Sequence, residues 1–208
     1  MAGLGLGPPD FALFEIEDPD VRTAALESTL QPKLALLGDQ CRPGLARVAG
    51  MDLFVHTGKV PRRKGQPPEE MLVAFSDSPK GYRGVPYLAV VTTRLHLHAR
   101  VGVRGESPRR ATMQRALDRD AANLAKKGKP FRKLRHFSDW NFEELPELAP
   151  AHSTAFWVEV GEELAPGGPG LDVGISWSCE EARSLALGDL LGVFRDLSPL
   201  YKLLANAS

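Results

Sequence analysis

The sequence predicts an α+β fold, a single domain in which a twisted antiparallel sheet is covered by helices. Three observations carry this. Residues 92–104 alternate, with Leu95, Leu97, Ala99, Val101 and Val103 on one side and Arg94, His96, His98, Arg100 and Arg104 on the other, the period of a strand. The apolar run at residues 87–91 ends directly before it, and a parallel crossover needs about a dozen residues or more, so the two runs are antiparallel neighbours. Met113, Leu117, Ala121 and Leu124 then recur at helical spacing over residues 107–127, with Gly128 as the stop.

Taken in order, residues 1–10 are rich in Gly and Pro and read as a flexible leader, followed by one domain over residues 11–205. Asp18 and Pro19 have the form of an N-cap and first helical residue. Pro32 interrupts the pattern that follows, which predicts two helices or a kinked one, with Leu34, Leu37, Leu45 and Val48 facing the core. Short strands are expected at residues 51–57 and 71–75, separated by a basic, Pro-rich loop over residues 58–68. Two later strands are expected at residues 153–161 and 171–177. Ser178 and Glu181 have capping-box spacing before a closing helical region that carries Leu190, Leu191, Val193, Phe194 and Leu197.

Composition narrows the function classes. With 208 residues and 43% hydrophobic content the chain can bury a core without disulfides or structural metal. Cys41 and Cys179 alone make no disulfide framework, which points to a reducing cytoplasm, and no basic signal sequence or membrane-length apolar run is present. The net charge of zero hides an asymmetry: residues 59–135 hold 19 Lys and Arg against six Asp and Glu, and the remainder hold seven against 20. Such a distribution marks a surface for polyanions, or two halves that neutralise each other across packed elements.

Phe54, Val55, His56, Lys59, Arg62 and Arg63, then Pro67, Pro68, Val73, Phe75, Gly81, Tyr82, Pro86 and His96, stand in a pattern that resembles the central signature of the YktB-like proteins. The ends agree, with Phe14 to Ile16 and Pro32 to Leu34 near one terminus and Leu197 to Leu203 near the other. Residues 111–171 are the least alike. The resemblance implies a compact α+β fold in a set of bacterial proteins of unknown function, and it implies no reaction or cofactor. It favours His56, Lys59, Arg62, Arg63 and Tyr82 as shared candidates. It also marks a departure, because the relatives carry a largely apolar strand where this chain has Arg94, His98 and Arg100, while His96 looks shared.

The charged side of the strand at residues 92–104 would place Arg94, His96, His98 and Arg100 in a ladder of donors for phosphate or carboxylate, since same-face residues recur every roughly 6.6 to 6.8 Å. The plainer reading is the wet face of an antiparallel strand. His96 and His98 also have i, i+2 spacing, with His56 as the obvious third metal ligand, but the flanking Arg94 and Arg100 oppose a dication and no metal is expected. Lys59, Arg62, Arg63 and Lys64, together with Lys80, Tyr82 and Arg83, combine cations with Pro, Gly and a ring that could stack on a base. A third basic group, residues 126–136, sits at a helix C-terminus, where positive charge is favoured by the dipole alone. No nucleophile elbow, phosphate-binding loop or dinucleotide fingerprint occurs.

The expected function is therefore an anion-binding module for single-stranded nucleic acid or a phosphate-bearing, nucleotide-like metabolite. Lys59, Arg62, Arg63, Lys80, Arg83, Arg94, His96 and Arg100 are the expected donors and Tyr82 the stacking ring. The alternative is a small hydrolase or transferase with His56 and His96 as acid and base in the same pocket. No cofactor and no membrane partner are expected.

Overall fold

The computed structural model describes residues 3–58, 67–138, 140–142 and 144–207. Lys59, Arg62, Arg63 and Lys64 lie outside the described residues. Helices α1 (Pro8–Ala12), α2 (Pro19–Ala25) and α3 (Gln31–Ala49) lead into strands β1 (Phe54–Thr57), β2 (Glu70–Ser76), β3 (Tyr87–Thr93) and β4 (His96–Arg104). After α4 (Arg110–Ala125) come β5 (Arg135–His136), α5 (Thr154–Glu162), β6 (Gly170–Ser178), α6 (Cys179–Ser184) and α7 (Leu187–Ala205). The strands form one sheet in the order β1-β2-β3-β4-β6-β5, and every neighbouring pair is antiparallel. The α+β class follows directly.

Period-two alternation divides the sheet into two faces. Val73 and Phe75 of β2, Leu88 and Val90 of β3, Leu97, Ala99 and Val101 of β4, and Leu171 and Val173 of β6 join the helices in the main core. α3 packs on β1 and β2, and α7 on β4. Gly38 permits the close approach of α3, since a Cβ there would lie 2.7 Å from methyls of both Val55 and Val73. Leu72, Ala74, Tyr87, Ala89 and Val91 form a second, smaller cluster on the other face, with Tyr82 against it.

Several expectations are corrected. Residues 153–161 are not a strand: Phe156, Trp157, Val160 and Gly161 are the buried positions of α5, a helical spacing that the short apolar run disguised. Trp157 is fully buried and its indole N–H donates to the Ala151 carbonyl at 2.9 Å. The capping box at Ser178 and Glu181 forms, but it opens the six-residue α6, and Leu185 is extended before α7 begins. The expectation of an interrupted helix at Pro32 is met: α2 runs on through a π-helical turn over Leu26–Leu30 into α3, the irregularity falling in the turn before the proline, where its ring and missing N–H disturb the helix. In the segment read as a leader, Leu4 and Leu6 are buried and Gly3 bridges to Ala186. No helix among the described residues is long and apolar enough to cross a membrane.

Candidate functional site

The charged side of β4 is not a wet face. His98 and Arg100 are 0% and 3% exposed, because residues after β5 fold over this face of the sheet. The His98 ring makes edge contacts with both Phe137 and Trp140, each at 5.2 Å. Its Nδ1 lies 2.8 Å from Ser176 Oγ and its Nε2 3.3 Å from Thr93 Oγ1. Burial, followed by the charges of Arg100, His96 and Arg135, holds the His98 pKa well below the ordinary value. It is a neutral, hydrogen-bonded spacer.

Arg100 lies flat on the sheet because Gly174 is its cross-strand partner. Its Nη1 reaches Asp172 Oδ2 at 3.0 Å and Glu70 Oε2 at 3.3 Å, and its guanidinium carbon stands 4.2 Å from the Phe137 ring centroid and 5.4 Å from that of Trp140. One strand position further along the face, Gly102 leaves room for Tyr87, whose ring would lie 2.4 Å from a Cβ there. Arg104 follows, 3.9 Å from Glu70 Oε1 and facing the rings of Tyr82 and Tyr87 at 5.8 and 5.5 Å. Burial opposes the charge on Arg104, but Tyr87, Glu70, Asp172 and Tyr82 together raise its pKa. Burial, reinforced by Asp172, raises that of the Tyr87 phenol.

These groups line a cavity of about 460 Å³. Pro67, Pro68 and the aromatic rings of Tyr87, Phe137, Trp140 and Phe142 supply its apolar wall, and its charged groups are Glu69, Glu70, Asp172, Arg100 and Arg104. Two of its lining residues also carry buried polar atoms with no hydrogen-bond partner among the described residues: Arg100 Nε and Nη2, and Asp172 Oδ1. Leaving such an atom unsatisfied costs about 1–3 kcal/mol.

Of the expected site residues that are among the described ones, only Arg100 lines this cavity. Lys80, Arg83 and Arg94 are exposed, with Arg83 paired to Glu106 at 3.1 Å. Tyr82 packs beside Tyr87, with ring centroids 5.0 Å apart. His56 is on β1 and His96 on β4, with β2 and β3 between them, so strand spacing alone separates them by roughly 14 Å. His56 Nε2 is 3.0 Å from both Ser76 Oγ and the Ser78 carbonyl, and burial lowers its pKa. Burial, and then Arg135, lowers that of His96. His96 and His98 are adjacent, with rings 5.9 Å apart, but His56, the expected third metal ligand, is not brought to them.

The residues that sequence reasoning missed are Glu70, Tyr87, Arg104, Phe137, Trp140 and Asp172. Asp172 carried a signal: it takes the polar place in the alternation between Leu171 and Val173, on the face that meets the Arg row. A further polar cluster lies at the end of the cavity. His136 Nε2 is 2.9 Å from Glu163 Oε2 and 3.0 Å from Ser138 Oγ, and the Ser138 hydroxyl also bonds Glu163. Both contacts of His136 use one ring nitrogen, so no serine-to-carboxylate relay through the ring exists. The cluster ties residues 136–138 to the end of α5.

Residues 8–152 match the model of the family described as Domain of unknown function (DUF1054). The chain belongs to this family. It is 35% identical over 108 residues to a UPF0637 protein of Bacillus licheniformis, covering 52% of this chain and 51% of that one. Over 117 residues it is 32% identical to a UPF0637 protein of Bacillus velezensis, 56% of each chain. A third relative, a UPF0637 protein of Staphylococcus haemolyticus, is 31% identical over 112 residues, 54% of this chain and 55% of its own. The chain thus spans about half the length of the curated relatives it matches. Glu70, Tyr87, Arg100, Arg104, Phe137 and Trp140 fall within the family segment, and Asp172 lies beyond it.

Proposed function

We propose that this DUF1054 protein is a binding module for a small, planar, nucleotide-like metabolite held in the cavity on the covered face of the sheet. The observation that carries the reading is the cavity walled by Tyr87, Phe137, Trp140 and Phe142 around the charged groups of Arg100, Arg104, Glu70 and Asp172, with the Arg100 guanidinium held under the Phe137 and Trp140 rings. Concave, aromatic-walled sites with a few converging polar groups are the usual form of small-ligand pockets. A single strand of nucleic acid needs an open basic groove instead, and His98 and Arg100, which would line it, are buried. The two free thiols, Cys41 and Cys179, suit a reducing cytoplasm.

The test is titration of the full chain with mononucleotides and with a single-stranded oligonucleotide, followed by tryptophan fluorescence and calorimetry. The expected result is saturable mononucleotide binding with shallow salt dependence. Oligonucleotide binding that is tighter than mononucleotide binding, with a log-log salt slope of roughly 0.7 per phosphate contacted, would replace the pocket reading with the nucleic-acid one. Absence of binding by every member would remove both.

A further inference from the structure

We propose that the groove between α3 and α7 is a second binding site, for a short linear polyphosphate, the chemistry shared by inorganic triphosphate and the tail of a nucleoside triphosphate. It lies on the helix-covered face of the sheet, away from the cavity.

The two helices build the groove where they meet. Gly44 of α3 is buried, and a Cβ there would lie 2.7 Å from Leu191 Cδ1 of α7, so the helices approach closely at this point. Beside the contact is a space of about 530 Å³, lined by Arg47 and Val48 from α3 and by Leu191, Arg195, Ser198 and Lys202 from α7. The last four stand at i, i+4, i+7 and i+11, which places them on one face of the helix. Three cations therefore converge on one space, and no carboxylate is among its lining residues.

The cations are uncommitted. None of Arg47, Arg195 and Lys202 has an ion-pair partner among the described residues. Arg47 uses only Nε, on the Pro43 carbonyl at 3.3 Å, which leaves both terminal nitrogens of the guanidinium. Asp189 is held by the Ala186 N–H at the start of α7, at 3.0 Å, and Asp39 and Asp196 are exposed outside the groove. The Ser198 hydroxyl donates to the Arg195 carbonyl at 2.8 Å, so the charged groups alone face a ligand.

Arg47 and Lys202 stand in the last turns of their helices, where the dipole favours a cation by itself. That does not account for Arg195 in the middle of α7, or for three cations sharing one space. Like charges gathered without a counter-charge raise the local potential, and a multivalent anion relieves it. Arg195 and Lys202 are separated by about 10.5 Å along the helix axis at 1.5 Å per residue, with Arg47 facing them from α3. That spread exceeds one phosphate and suits two or three phosphoryl groups in a row, each meeting a cation.

The experiment titrates the full chain with inorganic phosphate, diphosphate and triphosphate at low salt by calorimetry, with tryptophan fluorescence in parallel. It is repeated on Arg47→Gln, Arg195→Gln and Lys202→Gln, singly and combined, with Arg119→Ala on α4 as the unaffected control. Affinity is expected to rise along the series to about tenfold for triphosphate over phosphate, each single exchange weakening triphosphate by about twofold to fivefold and added salt weakening it further. Fluorescence should stay unchanged, because no tryptophan lines the groove. If the combined variant does not fold, the three single exchanges decide. ATP separates the two sources: loss of ATP and triphosphate together in the variants shows that the groove takes the chain from either, and ATP binding that survives leaves it with the inorganic chain. Triphosphate binding that survives the exchanges, or that quenches tryptophan, assigns the anion elsewhere and overturns the groove. Equal affinity for phosphate and triphosphate, or no binding at millimolar concentration, overturns it too.

Discussion

Gly174 sits directly opposite Arg100 in the register of β4 and β6, and a Cβ on Gly174 would lie 2.8 Å from Arg100 Cγ and 2.4 Å from the Ala99 carbonyl oxygen. The missing side chain is what lets an arginine lie down between two strands. Gly174→Ala is therefore expected to destabilise the protein by about 1–3 kcal/mol, as overpacking does, and to weaken ligand binding by displacing the guanidinium. Urea denaturation with the binding titration checks both; wild-type behaviour in each would show that Arg100 does not depend on this space.

Arg100→Met removes one member of a covered ion-pair group and leaves Glu70 and Asp172 facing each other, with side chains 23% and 19% exposed. Breaking a buried pair in this way costs about 3–5 kcal/mol, whereas replacing the whole group with apolar residues is often neutral. The double variant Arg100→Met with Asp172→Leu should recover part of the loss in chemical denaturation. A double variant whose loss equals or exceeds the sum of the two singles would show that Arg100 and Asp172 do not attract each other in the folded protein.

His98 and His136 should give stability opposite pH dependences. Burial first, then Arg100, His96 and Arg135, lowers the folded pKa of His98. Its contribution is full above the unfolded value of about 6.5 and is lost as pH falls toward the folded one. Burial opposes the charge on His136, but the hydrogen bond and charge of Glu163 raise its pKa. That contribution is full below about pH 6.5 and is lost as pH rises through the folded pKa. Thermal melts against pH should show a shallower acid limb for His98→Gln and a shallower limb above pH 6.5 for His136→Gln. An unchanged profile in either variant would remove that residue from the account.

Cys41 is fully buried, and burial pushes its thiol pKa up to about 12, while Cys179 is half-buried. Since the thiolate is the reactive form, one thiol should titrate with an aromatic disulfide reagent in the native protein and two after denaturation. Melting curves with and without reductant should coincide. Two fast-reacting thiols in the native state would contradict the burial of Cys41 on the core side of α3.

The sheet was legible in the sequence because its signals are local: alternation in residues 92–104, a short connection before it, and helical spacing in residues 107–127. The site was not, because it depends on what covers a face. Alternation places Arg94, His96, His98 and Arg100 on one side of β4, but a strand with one wet face and a strand with both faces covered read alike when the cover comes from Phe137 and Trp140, more than thirty residues later. The partners that turn a cation row into a pocket, Glu70 and Asp172, stand 30 and 72 positions from Arg100. The same distance hid the helix at Thr154–Glu162, whose apolar side is defined by α4.

The β4–β6 pairing joins His96 to Ser178 and Arg104 to Gly170, whereas the stretch that matches the DUF1054 model stops at residue 152. A fragment trimmed to that stretch would keep all nine residues of β4 and lose the strand on one of its sides. It would expose a run of unsatisfied N–H and C=O groups beside Leu97, Val101 and Val103, which is a template for edge-to-edge aggregation. The stretch that matches the family model is therefore shorter than the sheet to which its strands belong.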